Sequence, residues 1–241
     1  MIAHAVRRLC GRAYRRVWPE ARSIRNLERH MGHLLCQPHP TTGWHRHPAL
    51  FAAVRDLLAG VVEPRLLSYG CSTGEEALSL YEVLPNAHVT AIDINPRSIR
   101  LARRLAARLA VERVTFVCAG APPDPALIER FDAVFCLSVL RHARLESELP
   151  ESCAAILPFA RAQLLMHQLD DLLKPGGYLV MWGSNFRLCD TDLASRYATI
   201  PTPGCKPHCG PFYTANDRRA DAADTAEFVF RKRSDAPNDG L

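Results

Sequence analysis

The chain has 241 residues, of which 48% are hydrophobic and 23% charged, a composition typical of a globular domain that buries its own core. No apolar run approaches the length needed to cross a bilayer, and the Arg-interrupted N-terminus argues against a secretory signal. The formal net charge is +5, with 27 Arg and 3 Lys among the basic residues. Since no nucleic-acid motif accompanies this charge, a nucleic acid is not an expected partner. The absence of a long apolar run likewise argues against a membrane as partner.

Nine cysteines are present, an odd number at irregular spacing. Several, such as Cys71, Cys118 and Cys136, fall inside apolar strand-like runs, where a free thiol behaves as a small hydrophobe. This pattern predicts a reduced, cytoplasmic protein rather than a disulfide framework.

The first 60 residues are predicted to form a helical N-terminal segment. Residues 1–35 are interpreted as helical, and residues 37–48 as a loop because they contain three prolines and a glycine. Residues 49–60 have the pattern of an amphipathic helix that ends at Gly60.

Strands and helices alternate from residue 61 to residue 233. Strands are predicted at 65–70, 88–94, 114–120, 132–140, 178–183 and 226–233, the last as an edge strand. Helices are predicted at 75–84, 96–110, 126–131 and 151–173, the last in one or two pieces. This alternation predicts an α/β fold with a mostly parallel, doubly wound sheet covered on both faces. Residues 234–241 are expected to be a flexible tail.

A glycine loop, YGCSTGEE (69–76), follows the first predicted strand, where doubly wound sheets bind ligands. Neither a P-loop nor a G-x-G-x-x-G pattern is present. Glu75 and Glu76 occupy the helical turn on which a dinucleotide would place its pyrophosphate, and their charge would repel it. A ligand with a cationic ammonium and no phosphate fits this loop, and S-adenosylmethionine is such a ligand.

Asp93 ends the second predicted strand, 19 residues after Gly74. This is the position of a carboxylate that accepts hydrogen bonds from both ribose hydroxyls of a nucleoside. Alone, each of these features also fits an ordinary βα turn of another α/β protein.

Four stretches, GCSTGEEALSL (70–80), AIDIN (91–95), FDAVFCLSVL (131–140) and KPGGYLVMWGSNF (174–186), resemble class I S-adenosylmethionine-dependent methyltransferases. Together with TTGWHRHPALF (41–51), they resemble more narrowly the chemotaxis-receptor (CheR-type) glutamate methyltransferases. The resemblance implies a Rossmann-like sheet of seven strands, with S-adenosylmethionine as cofactor and S-adenosylhomocysteine as product.

The resemblance also implies roles for individual residues. Thr42 and Arg46 match cofactor contacts, with Arg46 on the cofactor carboxylate, while Glu76 matches an amino-group contact and Asp93 the ribose contact. At two pairs of positions this chain carries side chains that differ from those of the family. Gly120 and Ala121 stand at family positions near the adenine, and Leu137 and Ser138 stand at family positions after the fourth strand. The full expected cofactor set is Thr42, Arg46, Gly70, Cys71, Ser72, Gly74, Glu76, Asp93, Ile94, Gly120, Ala121, Leu137 and Ser138.

Two departures from the chemotaxis family bear on the methyl acceptor. The family's receptor-docking β-subdomain has no room here, because only a few residues separate Ala110 from the predicted strand at 114–120. The N-terminal helical portion is also short. The leading hypothesis is therefore transfer of a methyl group to an O or N atom of a small molecule. The alternatives are a protein-glutamate carboxyl methyltransferase, which would have a protein substrate, and a non-catalytic cofactor-binding regulator. The sequence leaves the oligomeric state open.

Candidate catalytic residues are His142, just past the fourth strand, and Arg46, which would guide a carboxylate acceptor. Residues 189–216, with three aromatic side chains, are predicted to form a substrate lid over the acceptor, with a disordered crossover loop as the alternative. The His-rich stretch 30–47 and the pair Cys205 and Cys209 lack the ligand spacing of a strong zinc site, so no metal is predicted.

Overall fold

The computed structural model describes residues 19–221, 225 and 227–234. The predictions for residues 1–18 and for 235–241 fall outside this described part, and the division at residue 60 stays a prediction. The helices are α1 (Pro19–Met31), α2 (Pro48–Leu57), α3 (Glu75–Val83), α4 (Pro96–Arg108), α5 (Ala143–Glu148) and α6 (Phe159–Asp171). The strands are β1 (Arg65–Tyr69), β2 (His88–Asp93), β3 (Val114–Cys118), β4 (Phe131–Leu137), β5 (Leu173–Trp182), β6 (Tyr197–Ile200) and β7 (Val229–Lys232).

The described strands form one seven-stranded sheet in the order β3-β2-β1-β4-β5-β7-β6. The first five strands of this order pair in parallel, whereas β7 runs antiparallel to both β5 and β6. The order reverses at β1, which lies between β2 and β4, and a crevice forms there because the connections leave in opposite directions. The predicted mostly parallel, doubly wound sheet is confirmed.

Buried apolar side chains cover both faces of the sheet. Leu67 of β1 packs in the same cluster as Met166 of α6, while the neighbouring Leu66 packs with Ala102 of α4. Adjacent residues of one strand thus point to opposite faces, and all seven residues of β4 are buried. Among the described helices, none combines the length and apolarity needed to cross a bilayer.

Local sequence explains where α3 and α4 begin. The Asn95 side chain accepts a hydrogen bond from the Arg97 N–H, and Pro96 occupies the first position of α4. α3 begins after Gly74, whose φ is +96°. A Cβ at Gly74 would lie 2.8 Å from the Cβ of Ala102, so the close approach of α4 also requires glycine.

Several predicted segments differ from the structure. The helix predicted at 126–131 is wrong: residues 126–130 form a turn and a bend that lead into β4, which begins at Phe131. So short a piece closes too few hydrogen bonds to offset helix nucleation. Of the helix predicted at 151–173, only Phe159–Asp171 is helical. The prediction did not include the six-residue helix α5. It also extended the N-terminal helix to residue 35, whereas α1 ends at Met31.

The far side of the sheet also departs from the prediction. The segment 226–233 contains β7, which lies between β5 and β6 and is not an edge strand. The edge strand is β6, which comes from the predicted lid, and Tyr197, Phe212 and Tyr213 of that segment are at most 5% exposed. These aromatic side chains therefore belong to the core, because an edge strand returns the segment to the sheet.

A buried charged cluster joins β6 and β7 to α6. Oδ1 of the fully buried Asp170 accepts a hydrogen bond from the Tyr197 hydroxyl at 2.6 Å and lies 3.0 Å from Nζ of Lys232. Oδ2 of Asp170 lies 3.0 Å from Nη2 of Arg196. Because an unpaired buried charge is costly, these contacts hold both antiparallel strands in place.

Candidate functional site

A cavity that is partly open to solvent lies at the carboxyl ends of β1, β2 and β4. This is the point of the sheet where doubly wound proteins bind ligands. The strand-end wall consists of Tyr69, Gly70, Ser72, Ile92, Asp93, Ile94, Asn95, Ala119, Gly120, Leu137, Ser138 and Val139. The opposite wall comes from Leu27 of α1 and residues 34–41.

Gly70 brings the main chain close to this cavity. Its φ is +76°, and a Cβ would lie 2.4 Å from Cγ2 of Val139, so both the backbone conformation and the available space require glycine. The N–H groups of Gly70 and Cys71 donate to the Ile92 carbonyl at 2.8 and 2.9 Å. Burial raises the pKa of the Cys71 thiol well above its ordinary value, so this thiol is a packing group.

Asp93 faces the cavity and also holds the glycine loop. Its Oδ2 accepts a hydrogen bond from the Ser72 N–H at 2.8 Å, and its Oδ1 accepts one from the Asn95 N–H at 2.7 Å. Burial raises the pKa of Asp93, and the two hydrogen bonds oppose this rise. Each carboxylate oxygen keeps one acceptor position, which two neighbouring hydroxyls of a ligand can use.

Glu76 lies in the first turn of α3, behind the glycine loop. Its Oε1 accepts a hydrogen bond from the Ser68 hydroxyl at 2.8 Å. Burial raises the pKa of Glu76 to about 7, while the Ser68 hydrogen bond and the charge of Arg46 oppose the rise. A ligand ammonium beside this carboxylate would stabilise its charged form.

Arg46 is an exposed cation at the rim of the cavity. Its Nη1 donates to the Thr41 carbonyl at 2.8 Å, and its Nη2 lies 3.5 Å from Oγ of the cavity-lining Ser138. A guanidinium here is placed to meet a ligand carboxylate.

His47 is a half-buried residue that the sequence prediction omitted. Its ring centroid lies 4.3 Å from that of Trp182 at the end of β5, and its Nε2 is buried without a hydrogen-bond partner in the described part of the chain. Burial, with the charge of Arg46, lowers the pKa of His47 to about 4, so the imidazole is neutral at neutral pH. The crowding of histidines in 30–47 was its only sequence signal, and that pattern did not distinguish His47 from its neighbours.

His142, the predicted base, is the N-cap residue just before α5 and is not part of the cavity wall. Its Nδ1 accepts a hydrogen bond from the Arg144 N–H at 3.2 Å, and its own N–H donates to Oδ1 of Asn185 at 2.8 Å. Burial lowers the pKa of His142. Its neighbour Arg141 forms an ion pair with Glu146.

The structure brings about half of the predicted residues together. Those that line the cavity are Gly70, Ser72, Asp93, Ile94, Gly120, Leu137 and Ser138. Those outside its wall are Thr42, Arg46, Cys71, Gly74, Glu76, Ala121 and His142. Thr41 lines the cavity where Thr42 was predicted, and the loop 34–41 was missed because it carries no binding motif. The ligand contacts assigned to all these residues stay predictions.

No group of three or more His, Cys, Asp or Glu side chains able to hold a metal ion occurs among the residues that the structure describes. In the His-rich stretch, His45 instead pairs through its Nε2 with Glu82 at 2.9 Å.

A sheet of this order, with a glycine loop after β1 and a carboxylate at the end of β2, defines the class I methyltransferase architecture, whose methyl donor is S-adenosylmethionine. A family model described as "Methyltransferase domain" matches residues 63–199. Because this match covers more than half of the chain, the chain belongs to the methyltransferase-domain family.

Curated relatives share only part of their length with this chain. It is 43% identical over 70 residues to a release factor glutamine methyltransferase of Deinococcus radiodurans, covering 29% of this chain and 23% of that protein. It is 29% identical over 138 residues to a ubiquinone biosynthesis O-methyltransferase of Alkalilimnicola ehrlichii, covering 56% of this chain and 47% of that protein. The chain thus spans about a quarter of the first relative's length and about half of the second's.

Among solved structures, a similar one is a SAM-dependent methyltransferase from Thiobacillus denitrificans in complex with S-adenosyl-L-homocysteine. It is 22% identical, with a TM-score of 0.39, and the match covers 59% of this chain and 49% of that one.

Proposed function

We propose that this protein transfers a methyl group from S-adenosylmethionine to an O or N atom of a small-molecule acceptor. The single observation that carries the proposal is Asp93, which presents its carboxylate to the cavity at the switch point of a methyltransferase-family sheet.

The chemistry of the site fits S-adenosylmethionine better than a phosphate-bearing cofactor. Two carboxylates, Glu75 and Glu76, occupy the first turn of α3, and Glu75 Oε2 accepts a hydrogen bond from the Thr73 hydroxyl at 2.6 Å. Their charge disfavours a phosphate at this helix N-terminus. A nucleoside with an ammonium group fits instead, because Asp93 offers acceptors for its hydroxyls.

S-adenosylmethionine supplies an electrophilic methyl group on its sulfonium. In the proposed arrangement Asp93 binds the ribose, Glu76 the ammonium and Arg46 the carboxylate, while Gly120 and Leu137 lie beside the adenine. Direct displacement requires alignment and no covalent nucleophile. A base is needed only where the acceptor must lose a proton, and His142 and the neutral His47 are the candidates.

The connection between α4 and β3 favours a small acceptor. It consists of residues 109–113, too few for a docking subdomain between Arg108 and Val114. A small molecule can reach the rim near Ser138 without a docking subdomain.

A second candidate is carboxyl methylation of a protein glutamate, in line with the chemotaxis-family resemblance. The observation that favours it is Arg46, whose exposed guanidinium beside Ser138 can guide an acceptor carboxylate. Such an acceptor needs no base, because a carboxylate is already ionised at neutral pH.

Calorimetry with S-adenosylhomocysteine tests the donor assignment. We expect wild-type protein to bind it and Asp93→Ala to bind about tenfold more weakly, since the ribose hydroxyls lose a charged acceptor. Asp56→Ala is the control, because Asp56 is an exposed carboxylate on α2. Absence of binding to wild-type protein at submillimolar ligand would overturn the proposal.

Methyl-labelled S-adenosylmethionine separates the two acceptor classes. Label is expected in small phenols or amines of a test panel and not in a glutamate-bearing peptide. Label that appears on the peptide and is released as methanol by mild base would favour the carboxyl methyltransferase.

A further inference from the structure

The donor cavity has a wall that the family domain does not supply. The matched family region begins at residue 63, whereas residues 34–41 line the cavity opposite the strand ends. A ligand in this cavity therefore lies between the sheet and this segment.

Apolar contacts join the segment to the strand-end wall. A Cβ at Gly120 would lie 2.9 Å from Cδ1 of Leu34 and 3.0 Å from Cε of Met31, so these side chains press on the main chain at Gly120. Leu34 lines the cavity and is still 37% exposed. An exposed leucine on a cavity wall is apolar surface that the flat face of a base would cover.

A few side-chain hydrogen bonds hold the segment in place. Arg161 donates to the Gly32 carbonyl at 3.3 Å, the Gln37 side-chain amide donates to the Arg141 carbonyl, and the Ser72 hydroxyl donates to the Pro40 carbonyl at 3.2 Å. Within the described chain, backbone–backbone hydrogen bonds of residues 32–41 stay inside 31–41. Opening of the segment would therefore break no backbone hydrogen bond of the sheet, but it would withdraw the buried Cys36 from its packing in the cluster that contains Tyr69 and Ile92.

We propose that residues 32–41 form a donor-site cover, which completes the S-adenosylmethionine site and opens to let the cofactor enter and leave. The proposal rests on the donor assignment made above. Leu34 of the cover is the wall against the base, and Gln37 supplies one of the hydrogen bonds that keep the cover closed. Closure over the bound cofactor slows its release, because the cover must first detach from the rim.

Surface plasmon resonance with S-adenosylhomocysteine tests the cover in the full chain. Leu34→Ala removes the apolar wall, and Gln37→Ala removes one hydrogen bond that holds the cover at the rim. Each is expected to raise the dissociation rate constant about fivefold or more, the effect of losing one modest interaction. Hydrogen exchange adds a second readout: the amides of residues 33–37 gain protection in wild-type protein when the ligand is added.

Matched controls are Leu109→Ala, a leucine that is 48% exposed at the end of α4, and Gln163→Ala, whose amide donates to Oδ2 of Asp192 at 3.3 Å. Both are expected to keep the wild-type rate constants. The cover is refuted if wild-type protein binds the ligand, both cover variants dissociate at the wild-type rate, and amides 33–37 do not change. If wild-type protein does not bind the ligand at all, the donor assignment itself fails.

Discussion

Glu76 gives the proposed site a titration near neutral pH. Its pKa of about 7 in the free protein results from burial, and the charged carboxylate is the form that attracts an ammonium. Affinity for S-adenosylhomocysteine should therefore rise as the pH increases towards 7, approaching about tenfold per unit below the pKa. Calorimetry between about pH 5.5 and pH 7.5 measures this slope.

Glu76→Gln is the matched variant, because it keeps an acceptor for the Ser68 hydroxyl and removes the titration. The variant should bind more weakly at about pH 7.5 and lose this pH dependence. An unchanged slope in the variant would show that another group titrates.

Gly70 is a position where any side chain is costly. For Gly70→Ala we expect a loss of about 2–4 kcal/mol in the free energy of unfolding, from the left-handed φ and the overlap with Val139. Urea unfolding measures it. Gly60→Ala is the control, since a Cβ there would have no atom within 4 Å, and its change should stay within about 0.5 kcal/mol. Equal stability of both variants would contradict the strain argument.

Residue types that satisfy a backbone or charge requirement were visible in the sequence. Gly70 and Asp93 stood out because a tight turn and a strand-end carboxylate need those types at that spacing. His47 did not, because its neutral state depends mainly on burial, which only the fold provides, while the charge of the adjacent Arg46 adds to the effect.

At the scale of elements, Asp170 links α6 to the two antiparallel strands. Asp170→Ala would leave the Lys232 ammonium, whose side chain is 5% exposed, without its buried carboxylate and with only its 2.7 Å hydrogen bond to the main-chain carbonyl of residue 170. The expected loss is about 3–5 kcal/mol, measured by urea unfolding. The exposed pair of Arg55 and Asp56 provides the comparison: Asp56→Ala should cost less than about 1 kcal/mol. A small loss for Asp170→Ala would mean that water reaches the cluster.

Elements with a strong local pattern were predicted to within a few residues, whereas α5 and β6 were not predicted. α4 and β4 carry strong apolar patterns, so local sequence located them. α5 and β6 have six and four residues, too few to show a period. The central place of β7 depends on its pairing with both β5 and β6, to which its own sequence gives no clue.

For the whole molecule, ligand binding should raise the free energy of unfolding. S-adenosylhomocysteine at a hundred times its Kd should add about 2.7 kcal/mol to the free energy of unfolding, because it binds the folded state alone. Thermal unfolding with and without ligand measures the rise in Tm. Asp93→Ala at the same ligand concentration should show a smaller rise, and an equal rise would place the ligand away from Asp93.

The sequence by itself determined the class of fold and the strand-end half of the donor site. Alternating apolar runs dictate a parallel sheet, and the glycine loop and Asp93 follow their strands directly along the chain. Tertiary structure alone decided the other wall of the cavity, the partners of His47 and the core position of the predicted lid aromatics. These features depend on contacts between segments far apart in sequence, such as Leu34 with Gly120, and no local pattern records such contacts.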